Sequence, residues 1–263
     1  MSSTIRVIVT GASGRMGKEV IKAVSGAEGM RVVGAVDMRG AGQDAGLLAA
    51  IGPLGIPVRP DLSEVIDDSA PDVMVDFTVA DAAVSNMMTA IEKGVRFVVG
   101  TSGIPAASCE RIVRAASDRG VGGVIVPNFA IGAVLMMRFA RMAAKYMPSC
   151  EIVELHHDGK VDFPSGTARA TAVDVASARS DWNPSARPGA SGRGVSVEGV
   201  PIHSVRLPGL VAHQEVIFGG QGQVLTIRHD SMGRDSFMPG VLLAVRRVIT
   251  LDRVITGLDP LLD

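Results

Sequence analysis

The sequence predicts an α/β chain. A parallel-sheet domain spans residues 1–128, an α+β domain with a mostly antiparallel sheet spans 129–240, and 241–263 packs back on the first. Three observations carry that reading. An apolar strand runs into a glycine-rich turn and then a helix. Short apolar runs alternate with helix-spaced segments up to residue 128. After residue 200, three short alternating runs follow one another across glycine-rich turns.

Composition narrows the class. At 263 residues the chain is comfortable for two modest domains. Hydrophobic residues make up 47% and charged residues 20%, which fits a packed globule rather than a disordered chain. A formal net charge of −1 gives no support to nucleic-acid or membrane-surface binding. No apolar run reaches the roughly 20 residues that span a bilayer. Cys109 and Cys150 have no framework spacing and fit a reducing compartment, so the cytoplasm is the expected location. Aromatics are 3%, so the core must be built from Val, Ile, Leu, Ala and Met.

Ile5–Val9 is the first apolar strand, and Lys18–Val24 has helical spacing. Between them lies Gly11-Ala12-Ser13-Gly14-Arg15-Met16-Gly17. The glycines gain meaning from following a strand and opening a helix. Gly11 permits the tight turn, Gly14 lets a pyrophosphate approach the backbone, and Gly17 allows close helix–strand packing. Met30–Val36 is a second strand, and Asp37 at its tip stands where a ribose hydroxyl is held. This is a Rossmann-type start. Residues 40–60 read as loop with a short strand near Ile56–Val58, and Leu62–Ile66 as a short helix. Strands at Pro71–Phe77, Arg96–Val99 and Gly123–Val126 then alternate with helices at Ala80–Glu92 and Ala106–Arg119. Phe77-Thr78, Gly100-Thr101-Ser102 and Pro127-Asn128-Phe129 follow those strands, and ligands of such sheets lie across the carboxyl ends.

After Phe129 the pattern changes. Gly132–Met147 is a Met- and Ala-rich helix, and residues 180–200 read as a polar loop. Ile202–Arg206, His213–Phe218 and Gln223–His229 read as antiparallel strands, and Phe237–Ile249 as a closing helix.

The densest chemistry lies between. Cys150–Leu155 reads as a strand that ends on His156 and His157, and Lys160 and Pro164-Ser165-Gly166-Thr167 follow. Neighbours on a strand face opposite ways, so at most one histidine lines a given pocket. Histidine exchanges protons near neutral pH, and Lys160 brings a compact cation. Ser165-Gly166-Thr167 reads as a helix start, whose N–H groups form an anion site. Together they suit a small dicarboxylate. No metal is expected, because adjacent histidines lack the i, i+4 spacing of a helical metal pair and the cysteines lie far away.

Across essentially its whole length the sequence resembles the dihydrodipicolinate reductase family. The resemblance rests on Val9–Gly17, Gly100–Gly103, Pro127–Phe129 and above all His156-His-Asp-Gly-Lys-Val-Asp-Phe-Pro-Ser-Gly-Thr-Ala168. It implies NAD(P)H-dependent reduction of a cyclic unsaturated imine dicarboxylate in lysine and diaminopimelate synthesis. It implies that His156 is the proton donor, His157 a substrate-binding residue and Lys160 a second proton-donor residue. It implies that Gly166 and Thr167, with Ser165 opening the same loop, grip a substrate carboxylate. Gly11 to Met16, Asp37, Gly100 to Ser102 and Val126 to Phe129 match cofactor contacts. A homotetramer formed through edge strands in residues 200–230 follows from the same resemblance. Chemistry between two domains also predicts hinge closure near Phe129 and residue 240.

The chain departs from the family pattern at Phe163, at Gln223 and at Met38, where many members carry Arg. Asp37 repels the extra phosphate of NADPH, whereas Arg39 and Arg15 are near enough in sequence to soften that repulsion. Use of both NADH and NADPH is expected, with NADH favoured by ~10-fold, about 1.4 kcal/mol. Two other readings stand beside this one. One is another two-domain NAD(P)-dependent dehydrogenase. The other is a non-catalytic nucleotide-sensing protein, against which the intact His-His-Lys set argues.

Overall fold

The computed structural model describes residues 4–178 and 192–263. They form two units, one of residues up to Phe129 together with Phe237–Asp263, the other Ala130–Ser236. The first unit opens with β1 (Ile5–Thr10), α1 (Arg15–Gly26), β2 (Met30–Val36), α2 (Ala45–Leu48), β3 (Val58–Arg59) and α3 (Leu62–Ser69). It continues with β4 (Val73–Asp76), α4 (Ala80–Glu92), β5 (Arg96–Val99), α5 (Ala106–Arg119) and β6 (Gly123–Ile125). The second unit holds α6 (Ile131–Ala144), β7 (Ser149–His156), α7 (Gly166–Ser177), β8 (Val195–Val197), β9 (Val200–Arg206), β10 (Ala212–Gly220) and β11 (Gln223–Ser231). The chain then returns to the first unit with α8 (Met238–Val248) and β12 (Val254–Thr256).

The first unit is a seven-stranded parallel sheet in the order β12-β6-β5-β4-β1-β2-β3. Its strands are continuous apolar runs because both faces are covered. Ile8, Met74 and Phe97 join one buried cluster with α3, α4 and α5, through Val65, Met87, Ile91 and Ile112. Val7, Val9, Val73 and Val75 alternate with them, are equally buried, and so face the other way. α1 and α8 pack against each other and against the strands, burying Val20, Ile21, Val24, Val241, Val245 and Val248. Because α8 buries Met238 and Gly240 as well, residues 237–240 go with the first unit rather than the second. β12 escapes the sequence pattern: it is three residues long, too short to show a period, and pairs in parallel with β6. α2 is equally short, and it is set by Asp44, whose Oδ1 accepts from the Gly46 and Leu47 amides.

The second unit is a five-stranded mixed sheet in the order β11-β10-β7-β9-β8. Its core joins Met136 and Ala140 of α6, Ala168, Ala172 and Val175 of α7, and Ile152, Ile202, Val216 and Phe218 of the strands. The sheet is mostly antiparallel, but β9 runs parallel to β7, against the all-antiparallel expectation for residues 202–229. The reason is α7, a crossover helix that returns the chain in its original direction. Within the expected loop at 180–200, Val195–Val197 forms β8, paired with β9. Residues 180–191 lie outside the described residues. Among the described residues no helix is long and apolar enough to cross a membrane.

Candidate active site

The first unit presents its expected ligand residues at the carboxyl edge of the sheet. Gly11 follows β1 with φ +75°, and a Cβ there would stand 2.6 Å from the Phe77 carbonyl oxygen. A Cβ on Gly17 would stand 2.1 Å from the Gly11 carbonyl oxygen, so α1 can lie this close to the turn only with glycine there. Gly14 is the N-cap of α1, which has no side-chain cap and no acidic residue in its first turn. Its backbone N–H groups therefore form an anion site of the kind that holds a diphosphate. Asp37, after β2, accepts from the Ser13 amide at 2.9 Å through Oδ2 and from the Arg39 amide at 2.8 Å through Oδ1. Each oxygen keeps a further acceptor position.

Gly11, Ser13, Gly14, Asp37, Arg39 and Phe77 line one cavity of about 540 Å3. Pro60, Val79, Ala82, Ser85 and Asn86 also line it, and the glycine pattern gave no sign of them. Ala12 is buried beneath the turn, while Arg15 is exposed and Met16 half-buried on the first turn of α1. Gly100, Thr101 and Ser102 follow β5, and Val126 to Phe129 follow β6, along the same edge. The Phe77 and Phe129 rings meet at 5.7 Å with a 49° tilt, and a Cβ on Gly100 would stand 2.1 Å from the Phe77 ring. Acidic strand tip, anion-ready helix start and cavity together fit a dinucleotide.

In the second unit His156 is the last residue of β7. Its Nδ1 lies 2.5 Å from Oε2 of Glu154, which has no side-chain exposure. Two residues apart on one strand, the two side chains share a face. Arg206 reaches the same carboxylate bidentately, Nη2 to Oε1 at 2.8 Å and Nη1 to Oε2 at 3.0 Å. Burial alone would raise the Glu154 carboxyl, but Arg206, the Ser204 hydroxyl and His156 outweigh it and hold it below the usual range. Burial lowers the His156 imidazole, and Glu154 opposes that only in part.

Arg206 also donates to the backbone oxygens of Lys160 at 3.3 Å and Asp162 at 2.9 Å, pinning the loop after His157. Lys160 Nζ sits 2.6 and 2.8 Å from the Asp162 carboxylate oxygens. That contact holds the Asp162 carboxyl below its usual range. His157 is exposed just beyond the strand, and its carbonyl accepts from the Lys160 amide at 3.1 Å. Ser165 is the N-cap of α7 and its hydroxyl accepts from the Ala168 amide at 3.2 Å. Gly166, exposed, and Thr167, half-buried, supply the first N–H groups of that helix. Arg169 donates to the carbonyls of Pro164 and Phe163, both at 3.1 Å, which ties the loop to the helix.

His156, Lys160 and the α7 start thus stand around one loop. Glu154 and Arg206 complete the set, and neither was singled out in the sequence. Glu154 reads there as one polar residue in a strand. Arg206 reaches the site by pairing opposite His156 across β7 and β9, 50 residues on in the chain. Among the described residues no group of three or more His, Cys, Asp or Glu side chains is placed to hold a metal ion.

Comparison with known proteins covers both units. The family description "Dihydrodipicolinate reductase, N-terminus" matches residues 5–129, and "Dihydrodipicolinate reductase, C-terminus" matches 132–262. The chain is 50% identical over 267 residues to the 4-hydroxy-tetrahydrodipicolinate reductase of Moorella thermoacetica, covering 100% of both proteins. Against that of Desulfitobacterium hafniense it is 47% identical, over 98% of this chain and 99% of the relative. A dipicolinate-bound dihydrodipicolinate reductase from Paenisporosarcina sp. TG-14 superposes with a TM-score of 0.85 at 39% identity, over 98% of this chain and 99% of that one. An amine dehydrogenase from Mycobacterium smegmatis, 16% identical with a TM-score of 0.66 over 98% and 96%, shares the fold alone.

Proposed function

The chain belongs to the dihydrodipicolinate reductase family, and on that premise we propose that it reduces 4-hydroxy-tetrahydrodipicolinate, a cyclic imine dicarboxylate, to tetrahydrodipicolinate in lysine and diaminopimelate synthesis. NADH or NADPH is the reductant. The observation that carries the reading is the Arg206–Glu154–His156 chain, set beside Lys160 and the start of α7.

A bound nicotinamide supplies a hydride to the substrate ring. The chain's own residues supply the rest. The 4-hydroxyl leaves as water. Hydride addition to the dehydrated ring then leaves electron density on it, and His156 quenches that by giving up a proton from Nε2, since Nδ1 is committed to Glu154. Lys160 and the Gly166 and Thr167 amides hold the carboxylates, with His157 beside them, so that the ring meets the hydride in a fixed orientation. Gly11 to Met16 carry the diphosphate, and Asp37 takes the adenosine ribose hydroxyls. Phe77, Gly100 to Ser102 and Val126 to Phe129 stand against the nicotinamide half.

Asp37 favours NADH, and Arg39 and Arg15 keep NADPH usable. The edge strand β11 exposes Val224 and Leu225 and is the surface through which a homotetramer forms. The protein works in the cytoplasm, where its substrate is made. Turnover tests the whole reading: with the unstable imine generated enzymatically, oxidised cofactor and tetrahydrodipicolinate appear in equal amounts. Dinucleotide binding with no turnover would favour a nucleotide sensor, and turnover confined to another substrate would favour a different dehydrogenase.

A further inference from the structure

Asp76 ends β4 fully buried, and its carboxyl gathers hydrogen bonds from several places at one edge of the sheet. Oδ2 accepts from the Thr10 hydroxyl at 2.6 Å and from Asn86 Nδ2 at 2.8 Å. Oδ1 accepts from the Thr78 amide at 3.0 Å, the Thr78 hydroxyl at 2.8 Å and the Thr101 hydroxyl at 2.9 Å. All of these donors are neutral. Thr10 closes β1, Thr78 follows β4, Thr101 follows β5, and Asn86 stands in α4. β1 and β4 are neighbours, and from them the sheet grows outward to β2 and β3 on one side and to β5 and β6 on the other. Asp76 therefore sits where the strand order reverses, the place where open parallel sheets bind ligands.

Burying a carboxylate among neutral donors is costly, and a neutral side chain could tie the same strands at less expense. What a carboxylate adds is that it accepts and never donates. Each threonine hydroxyl has one proton, and Asp76 takes all three. For Thr78 the alternative acceptor, the Val79 carbonyl, is farther off at 3.4 Å. Thr78 and Asn86 both line the cavity that holds Asp37. With its proton turned inward, the Thr78 hydroxyl offers that cavity lone pairs. Lone pairs repel phosphate oxygens and receive hydrogen bonds from a ribose hydroxyl or a carboxamide.

We propose that Asp76 is a positioning residue of the cofactor cavity: it ties the ends of β1, β4 and β5 together and holds the Thr78 hydroxyl as an acceptor for a hydrogen-bond donor on the dinucleotide. The proposal rests on reading this cavity as a nicotinamide-dinucleotide site.

Asp76→Asn keeps the size of the side chain, but its amide nitrogen donates, so at least one hydroxyl must turn away. NADH affinity, followed by the fluorescence of the bound cofactor, falls on the order of 10-fold. Most of the kinetic loss then lies in the KM for NADH, with little in kcat or in the KM for the imine, a split that a general loss of folding does not produce. Thr78→Val weakens NADH by roughly 5-fold, whereas Thr78→Ser, which keeps the hydroxyl, stays within about 2-fold of wild type. ADP-ribose separates the two donor sources. A loss shared by both ligands points to a ribose hydroxyl, and a loss on NADH alone points to the carboxamide. If Asp76→Asn does not fold, the Thr78 pair decides. Folded Asp76→Asn and Thr78→Val proteins that bind NADH as wild type does overturn the proposal and leave the cofactor reading intact. A wild type that binds neither NADH nor NADPH overturns both.

Discussion

The Nδ1 of His156 lies 2.5 Å from the buried Oε2 of Glu154, and that contact decides which ring nitrogen is left to do chemistry. A carboxylate only accepts, so Nδ1 carries the hydrogen and Nε2 is the nitrogen left to exchange a proton, as the proposed role of His156 requires. Glu154 is in turn held by Arg206 from the neighbouring strand, so the imidazole is oriented by a chain of three side chains.

The pH dependence follows from this arrangement. Burial lowers the His156 pKa, so in the free enzyme the proton-donating form fills only below the ordinary imidazole range. Values of kcat/KM therefore fall as pH rises through that lowered pKa. Substrate carboxylates brought to the ring favour its protonated form, which places the limb in kcat at higher pH than the limb in kcat/KM. Glu154→Gln removes the group that favours proton uptake, moves both limbs toward acid, and lowers kcat by roughly 10-fold or more at neutral pH. A pH profile unchanged in Glu154→Gln would separate Glu154 from the chemistry.

Arg206→Ala leaves the fully buried Glu154 carboxylate without its cation. Removing one partner of a buried pair costs about 3 kcal/mol, and urea unfolding at neutral pH reads that loss directly. The sign with pH is fixed by Glu154, whose folded pKa is lowered. Its contribution is present above the ordinary carboxyl pKa and disappears as pH falls through the lowered one. The gap between wild type and Arg206→Ala therefore narrows in acid. A gap that is constant with pH would mean that Arg206 stabilises by packing alone.

If Lys160 holds a substrate carboxylate as proposed, Lys160→Ala lowers kcat and raises the KM for the imine together. Steady-state kinetics with varied imine at saturating NADH measures both. A variant with wild-type values of both constants would remove Lys160 from the site.

Asp37→Ala tests cofactor choice. Wild type is predicted to favour NADH by ~10-fold in kcat/KM, about 1.4 kcal/mol. Without the carboxylate the repulsion of the extra phosphate goes, and the ratio moves toward NADPH. A wild type that strongly prefers NADPH would show that Arg39 or Arg15 outweighs Asp37.

Much of this was legible in the residues because the signals are local. The Gly11 to Gly17 turn, Asp37 at a strand tip and the His156 to Thr167 stretch each occupy a short window, and helices such as Ala80–Glu92 and Ala106–Arg119 show their period. What stayed hidden depends on pairing across the chain. The parallel placement of β9 brings Arg206 opposite His156, and no local pattern states a register. Asp76 reads as an ordinary strand-end residue until Thr10 and Thr101 converge on it from β1 and β5. β12 and α2 are too short for periodicity to show: β12 exists through its pairing with β6, and α2 through the Asp44 cap.

The most direct measurement compares wild type with His156→Ala in one coupled assay, with the imine made enzymatically and nicotinamide absorbance followed, and with NADH binding measured separately on both proteins. Wild type oxidises NADH only when the imine is present. His156→Ala binds NADH equally well and turns over at least roughly 100-fold more slowly, the usual cost of a lost general acid. Equal turnover in the two proteins, or no imine-dependent oxidation by wild type, would contradict the account.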